Sequence, residues 1–172
     1  MQEDELDKKL DFSPYSKSDD FSKLDFKYKG TDELEVDKYI HDNPNNYIEN
    51  HVSNIYSVRY ETELIGFFTL SMSSIDNSAM LDDDALDVTF RNYPALLLGQ
   101  MGLDVDFRCG RIGKKICSFC RGIGQDLNER VACAFLILQT TPTLARKFYE
   151  PDCHFRWKPS DKKRVWMYRK LF

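Results

Sequence analysis

The residues with the clearest chemical potential lie between positions 104 and 114, which read Asp-Val-Asp-Phe-Arg-Cys-Gly-Arg-Ile-Gly-Lys. This basic, glycine-containing segment follows an apolar run and precedes a helical pattern. Backbone N–H groups at the positive end of a helix bind phosphate well, and arginine or lysine adds opposite charge. The spacing therefore predicts a site for a phosphate or pyrophosphate group. The alternative is an ordinary strand–helix turn with solvated basic side chains, since neither G-x-G-x-x-G nor a P-loop is present.

Two other patterns could carry chemistry. Cys117-x-x-Cys120 has the spacing of half a zinc or redox site, but it lies on an apolar helical stripe and no second pair exists, so we expect reduced, buried core residues. The run from Arg156 to Lys170 has seven basic residues against Asp161, with Trp157, Trp166 and Tyr168 among them. It is typical either of a last strand with a solvated basic face or of an RNA-facing surface.

The elements that must position these residues alternate along the chain. The patterns predict a helix over 32–40, ended by Asn43 to Asn46, then strands over 52–60 and 64–72 joined by a turn at Glu61 to Glu63. A solvated acidic loop or short helix, Asp76 to Asp87, leads to a buried strand over 93–103. A helix over 114–129, a strand over 131–138, a helix opened by Thr141-Pro142 and a strand over 165–172 complete an α/β sandwich with a mixed sheet.

Length and composition limit the class of protein. The 172 residues are 42% hydrophobic and 13% aromatic, which is enough for the core of one domain, with residues 1–20 as a loose start. No apolar run is long enough to cross a membrane. The charged N-terminus has no apolar segment of a signal peptide, and five cysteines are an odd number, so we expect a reducing cytoplasm. A net charge of −4 disfavours non-specific binding to nucleic acid.

From about Phe26 to Phe172 the sequence resembles the GNAT superfamily of N-acetyltransferases. The segment 93–104 is similar to its long central strand, Arg108 to Gly113 to its pyrophosphate loop, and Ala145 to Glu150 to the helix after the next strand. The resemblance implies a mixed, mostly antiparallel sheet with splayed central strands and helices on both faces. It also implies that acetyl-CoA binds as co-substrate in the cleft, without a metal.

The resemblance assigns roles to individual residues. The residues beside the pantetheine would be Met101, Gly102 and Leu103. Those around the pyrophosphate would be Arg108, Cys109, Gly110, Arg111, Ile112, Gly113 and Lys114. Tyr149 matches the tyrosine beside the cofactor sulfur, and a phenol is a suitable acid for a departing thiolate. The base stays open; His154 is the histidine best placed in sequence, and water is the alternative.

Three departures from the family pattern affect this interpretation. Arg111 stands where the loop normally has glycine, and Gly110 comes one place early. We expect the Arg111 guanidinium to point toward phosphate or solvent. The segment from Thr140 to Pro142 lacks the asparagine often found there. After Tyr149 the usual Gly-Phe pair is replaced by Pro151 to Phe155, either through a one-residue insertion or through substitution of the glycine.

The resemblance favours an N-acetyltransferase that acts on a primary amine of a small molecule, peptide or protein. The segment from Tyr93 to Gln100 is similar to a prokaryotic subgroup that includes toxins acetylating aminoacyl-tRNA, and the basic C-terminus agrees with that alternative. A non-catalytic acyl-CoA-binding module is the third reading, motivated by Arg111. A homodimer is left open, and no membrane is expected.

Overall fold

The computed structural model describes residues 9–27, 30–42, 44–88, 90–108 and 111–172. The chain divides into two compact units. Unit 1 is Met1–Leu70 with Gln100–Cys109, and unit 2 is Ser71–Gly99 with Gly110–Phe172. Within the part of the chain that the structure describes, no helix combines the length and apolar character needed to cross a bilayer.

The elements, in chain order, are five helices, seven strands and three short 3-10 turns within the described residues. The helices are α1 Val36–His41, α2 Pro44–Glu49, α3 Arg111–Asn128, α4 Pro142–Leu144 and α5 Glu150–Cys153, with a π-helical turn Ala145–Tyr149 joining the last two. The strands are β1 Leu10–Pro14, β2 Asn54–Tyr60, β3 Glu63–Asp76, β4 Asn92–Leu103, β5 Phe135–Thr140, β6 Arg156–Trp157 and β7 Val165–Lys170. The 3-10 turns are Asn77–Ala79, Asp82–Asp84 and Val105–Phe107.

The strands are hydrogen-bonded in the order β1-β2-β3-β4-β5-β7-β6. The pairs β1–β2, β2–β3, β5–β7 and β6–β7 are antiparallel, whereas β4 and β5 are parallel. Parallel neighbours need a crossover connection, and α3 supplies it. The sheet is therefore mixed, as the sequence patterns predict, and mostly antiparallel, as the family resemblance implies.

Unit 1 has an aromatic core. Val36 and Ile40 of α1 pack with Ile55 of β2 and Phe67 of β3, and Phe21 joins the same cluster. The expectation of a loose start over 1–20 is wrong for residues 10–14, because they form β1, paired with β2 from Leu10↔Tyr60 to Pro14↔Tyr56. The expected hairpin is confirmed: Tyr60 pairs with Glu63, and Glu61 takes a left-handed φ of 57° in the turn.

In unit 2, the sheet has two different faces. Ile75, Tyr93, Ala95, Phe135, Ile137 and Tyr168 form one buried cluster. Strand residues alternate between faces, so Leu96, Leu98, Leu136, Leu138 and Thr140 point the other way, where the apolar stripe of α3 (Ile112, Ile116, Cys117 and Cys120) is buried.

Several predicted boundaries shift for local reasons. The helix predicted over 114–129 begins at Arg111, three residues earlier. The strand predicted over 131–138 begins only at Phe135, because Val131 is exposed and the Cys133 N–H donates to the side chain of Asn128, the last residue of α3. The helix α1 does end before the predicted break at 43–46, at His41, and Pro44 then starts α2, as proline's fixed φ allows in a first turn.

The acidic segment is not simply a solvated loop. Asp84 is only 6% exposed, and its carboxylate accepts hydrogen bonds from Arg156 at 2.7 Å and from the Tyr168 hydroxyl at 2.6 Å. The same hydroxyl accepts from the Leu81 N–H at 2.9 Å. This network fixes the acidic segment against β7, which explains why one aspartate of the run is buried while Asp82 and Asp83 are exposed.

Candidate functional site

The parallel ladder between β4 and β5 is short. It runs from Ala95↔Phe135 to Leu98↔Leu138, whereas β4 continues to Leu103 and β5 to Thr140. The two strands are therefore paired over four residues each, and both continue beyond the ladder. Backbone groups beyond such a ladder are available to a ligand that can replace the missing strand partner.

The end of β4 lies in unit 1 and is held by its own neighbours. The Gln100 N–H donates to the Thr69 hydroxyl at 2.8 Å. A Cβ on Gly102 would lie 2.8 Å from side-chain atoms of Phe26 and of Val36, and 2.9 Å from Phe67. Glycine is thus required at 102 by packing within the unit. Met101 and Leu103, which flank it, are half-buried.

The carboxylate of Asp104 stabilises the turn after β4, a role that was not predicted from the sequence. Its carboxylate accepts from the Asp106 N–H at 3.0 Å and from the Asp25 N–H at 2.8 Å, and the residue is 8% exposed. Arg108 is exposed, and its Nε donates back to the Leu103 carbonyl at 3.0 Å. The turn is therefore closed by side-chain to backbone bonds, a pattern that an Asx motif in the sequence could have indicated.

The start of α3 lies in unit 2. Arg111 and Lys114 are exposed, whereas Ile112 and Gly113 are buried; Cys109 and Gly110 lie outside the described residues. The exposure of Arg111 agrees with the expectation that its guanidinium points outward. Because α3 begins at Arg111, the positive end of the helix lies here, and such an end favours an anion.

Tyr149 lies at the end of the π-helical turn and is 7% exposed. Burial raises the pKa of its phenol well above the usual value, and the neighbouring thiols of Cys117 and Cys153 add to the shift. The phenol is therefore protonated at neutral pH, as a proton donor must be.

A group of free, buried thiols surrounds this tyrosine. Cys117 and Cys120 of α3 are both buried, as the sequence predicts, and Cys153 is buried at the end of α5. A hydrogen bond with Cys153 raises the pKa of the Cys117 thiol, followed by the effect of burial. Burial likewise raises the pKa of Cys120. Among the described residues, no group of three or more His, Cys, Asp or Glu could hold a metal.

The backbone around Tyr149 departs from a regular helix at two points. The Glu150 N–H donates to the Ala145 carbonyl, five residues back, instead of to a carbonyl four residues back. Pro151 follows, and proline lacks an N–H and clashes with the carbonyl four residues before it, so a widened turn suits this position. His154 then ends α5 with a left-handed φ of 56°, and Phe155 is buried.

This geometry describes the departure noted after Tyr149. His154 takes the left-handed conformation that favours glycine, and Phe155 follows it as a buried aromatic residue. The π-helical turn before Pro151 is wider than an α-helical turn. His154 is exposed, and its backbone role needs no chemistry from the ring.

The C-terminal basic run is only partly available to a ligand. Arg156 bonds Asp84, Lys158 pairs with Asp82 at 3.5 Å, and the Arg169 guanidinium donates to the Cys153 carbonyl at 2.8 Å. Trp157 and Tyr168 are buried, whereas Trp166 is 37% exposed. Of the interleaved aromatic residues, Trp166 is thus the one with a surface on which a base could stack. The exposed lysines are Lys158, Lys162, Lys163 and Lys170.

Comparisons with known proteins address the fold. No family model matches the chain, and no curated protein matches it. Among solved structures, a Tyr-to-Phe mutant of KacT is similar with a TM-score of 0.80 and 14% identity over 95% of each chain. AtaT complexed with acetyl-methionyl-tRNAfMet has a TM-score of 0.77 and 13% identity over 94% of each chain. The chain has the GNAT fold.

A third similar structure is AtaTR bound with AcCoA, with a TM-score of 0.74 and 14% identity over 95% of each chain. The GNAT fold of these proteins agrees with the short parallel ladder and with the crossover helix α3. At such low identity the likeness establishes the fold alone, so the activity must be argued from the residues.

Proposed function

We propose that this protein is an acetyl-CoA-dependent N-acetyltransferase that acts on a primary amine and works as a single domain. The observation that carries the proposal is Tyr149, a buried phenol at the end of a π-helical turn. The N-terminal end of α3 and the short β4–β5 ladder fit the phosphate and amide groups of such a co-substrate.

Acetyl-CoA supplies the acetyl group as an activated thioester. In the proposed reaction, the neutral amine attacks the thioester carbonyl, the C–N bond forms, the C–S bond breaks, and Tyr149 gives its proton to the departing sulfur. Tyr149 is protonated at neutral pH, as a proton donor must be, and its raised pKa makes it a weaker acid than a free phenol. The proton lost by the amine passes to water. Positioning and backbone electrostatics supply further rate enhancement.

Individual residues take separate binding roles in this proposal. Backbone groups of Met101, Gly102 and Leu103 would pair with the pantetheine arm. The first turn of α3, with exposed Arg111 and Lys114, would bind the pyrophosphate. The buried free thiols agree with a cytoplasmic location, which belongs to the same proposal.

The acceptor has two candidate classes. A small-molecule, peptide or protein amine is the first. The second is the α-amino group of an aminoacyl-tRNA, favoured by the solved complex of AtaT with acetyl-methionyl-tRNAfMet and by the exposed lysines Lys162 and Lys163 beside half-exposed Trp166. Phosphate contacts make RNA binding steeply salt-dependent, whereas a small neutral amine gives little salt dependence.

The test is turnover with purified protein. Acetyl-CoA is incubated with a panel of small amines, with peptides and with aminoacylated tRNA, and CoA thiol release is measured with mass spectrometry of the products. An acetylated amine with Tyr149-dependent turnover supports the proposal. Tight acetyl-CoA binding without turnover on any acceptor class would instead support the non-catalytic module, and absence of binding would exclude both readings.

A further inference from the structure

Gly113 is buried in the first turn of α3, and the space beside it is filled by an aromatic ring. A Cβ at this position would lie 2.6 Å from Cζ of Phe148 and 3.3 and 3.4 Å from the adjacent ring carbons Cε2 and Cε1. Ordinary van der Waals contacts of a Cβ begin at about 3.4 Å, so any side chain at 113 must displace the ring. The requirement for glycine here comes from Phe148, which belongs to the same unit.

Phe148 is directly connected to the proposed acid. It lies inside the π-helical turn and precedes Tyr149, and the two rings meet edge to face with centroids 4.9 Å apart. Single π-helical turns are rare and are frequent at functional sites. A change at Gly113 that displaces the Phe148 ring would therefore also move the turn that carries Tyr149.

We infer that Gly113 and Phe148 are positioning residues for the reaction, and that Gly113 sets the location of Tyr149 through the Phe148 ring. This inference rests on the proposed function and assigns Gly113 a task different from admitting a phosphate group. The alternative is that Gly113 is glycine so that its backbone can approach the pyrophosphate. The two roles differ in the kinetic constant that they affect.

The experiment compares Gly113→Ala, Phe148→Leu and the double variant in the full chain. Leucine lacks the outer ring carbons that a Cβ at 113 would strike. For Gly113→Ala we expect kcat to fall at least about tenfold, since displacement by about an ångström can cost 10²-fold. We expect the acetyl-CoA dissociation constant, measured by calorimetry, to change less than about threefold. Adding Phe148→Leu should restore a large part of the lost kcat.

Gly122→Ala is the matched control, because Gly122 lies in the same helix and has no atom within 4 Å of the position of a Cβ. It introduces the same change of helix propensity and should leave kcat unchanged. Should Gly113→Ala fold poorly, Phe148→Leu alone should still lower kcat without weakening acetyl-CoA binding.

The outcomes separate this inference from the proposed function. A Gly113→Ala protein that loses acetyl-CoA affinity, with no recovery on adding Phe148→Leu, would overturn the inference while the wild type still turns over. Equal losses in Gly113→Ala and Gly122→Ala would also overturn it, because the effect would then belong to the helix. A wild type without turnover on any acceptor would overturn the proposed function itself, and the positioning role with it.

Discussion

Replacing Tyr149 by phenylalanine tests the proposed proton transfer with little structural change. The substitution removes one oxygen and keeps the rest of the side chain. The ring keeps its edge-to-face contacts with Phe148 and Phe155. We therefore expect a change in unfolding free energy within about 0.5 kcal/mol. Loss of a general acid should lower kcat by about 10²–10⁴-fold.

A second tyrosine in the same unit provides the control. The Tyr168 hydroxyl donates to Asp84 at 2.6 Å and accepts from the Leu81 N–H at 2.9 Å. Tyr168→Phe leaves both groups without that partner and should cost about 1.5–3 kcal/mol of stability, since one of them is charged. At temperatures where the variant stays folded, its kcat should be unchanged. The two Tyr→Phe variants thus have opposite expected effects on activity and stability.

The assay measures kcat and KM from thiol release, acetyl-CoA affinity by calorimetry and thermal unfolding on the same samples. Because the Tyr149 pKa is raised, the acid stays protonated, and kcat should not decline between about pH 7 and pH 9 through loss of its proton. An unchanged kcat in Tyr149→Phe, with chemistry rate-limiting, would remove Tyr149 from the mechanism. A large loss of stability would instead show that its hydroxyl is structural.

Further outcomes can be measured on the same protein. Millimolar acetyl-CoA or CoA should raise the unfolding temperature, and no shift would contradict cofactor binding. His154→Gly should raise the unfolding free energy by about 0.5–1 kcal/mol, because glycine adopts the left-handed conformation without steric cost; an unchanged melting temperature would contradict this. Asp84→Asn should lower the unfolding free energy by roughly 2 kcal/mol in a denaturant titration, mainly through the buried bond from Tyr168, since the contact with Arg156 is partly exposed and adds little. A loss within experimental error would mean that the network is weak. The hydrogen bond with Cys153 and burial raise the pKa of Cys117, and burial raises the pKa of Cys120, above the ordinary value of a thiol, so these thiols lose their protons at lower pH in the unfolded chain than in the folded one. Stability should therefore fall as pH rises above about 9, and Cys117→Ala should reduce that slope.

Local sequence patterns predicted the elements whose causes are local. The hairpin turn after Tyr60 and the Thr141 cap with Pro142 follow from neighbouring residues, and the Thr141 hydroxyl does accept from the Leu144 N–H at 3.3 Å. The prediction of an apolar helical stripe in α3 is confirmed, because the apolar residues recur with helical spacing. The burial of Cys117 and Cys120 followed from the same periodicity.

Features that depend on distant residues could not be predicted in this way. The strand β1 has only five residues, too few for its alternation of apolar and polar residues to identify a strand, and it exists because β2 offers an edge: Leu10 pairs with Tyr60. Asp84 was predicted to be solvated because its neighbours are acidic, but its partner Tyr168 lies 84 residues away. Composition describes a segment's own preference, whereas burial depends on which segment covers it.

The segment after Tyr149 departs from the family pattern, and the sequence and the structure must be considered together to describe that departure. Sequence alone left insertion and substitution open. The structure contains a turn one residue wider before Pro151 and a left-handed backbone at His154. Both lie within five residues of Tyr149, and the wider turn also carries Phe148 against Gly113. The π-helical turn, which sequence patterns could not specify, therefore also carries the proposed acid. Variants at positions 113 and 148 test the position of that acid more directly than changes in the regular helices.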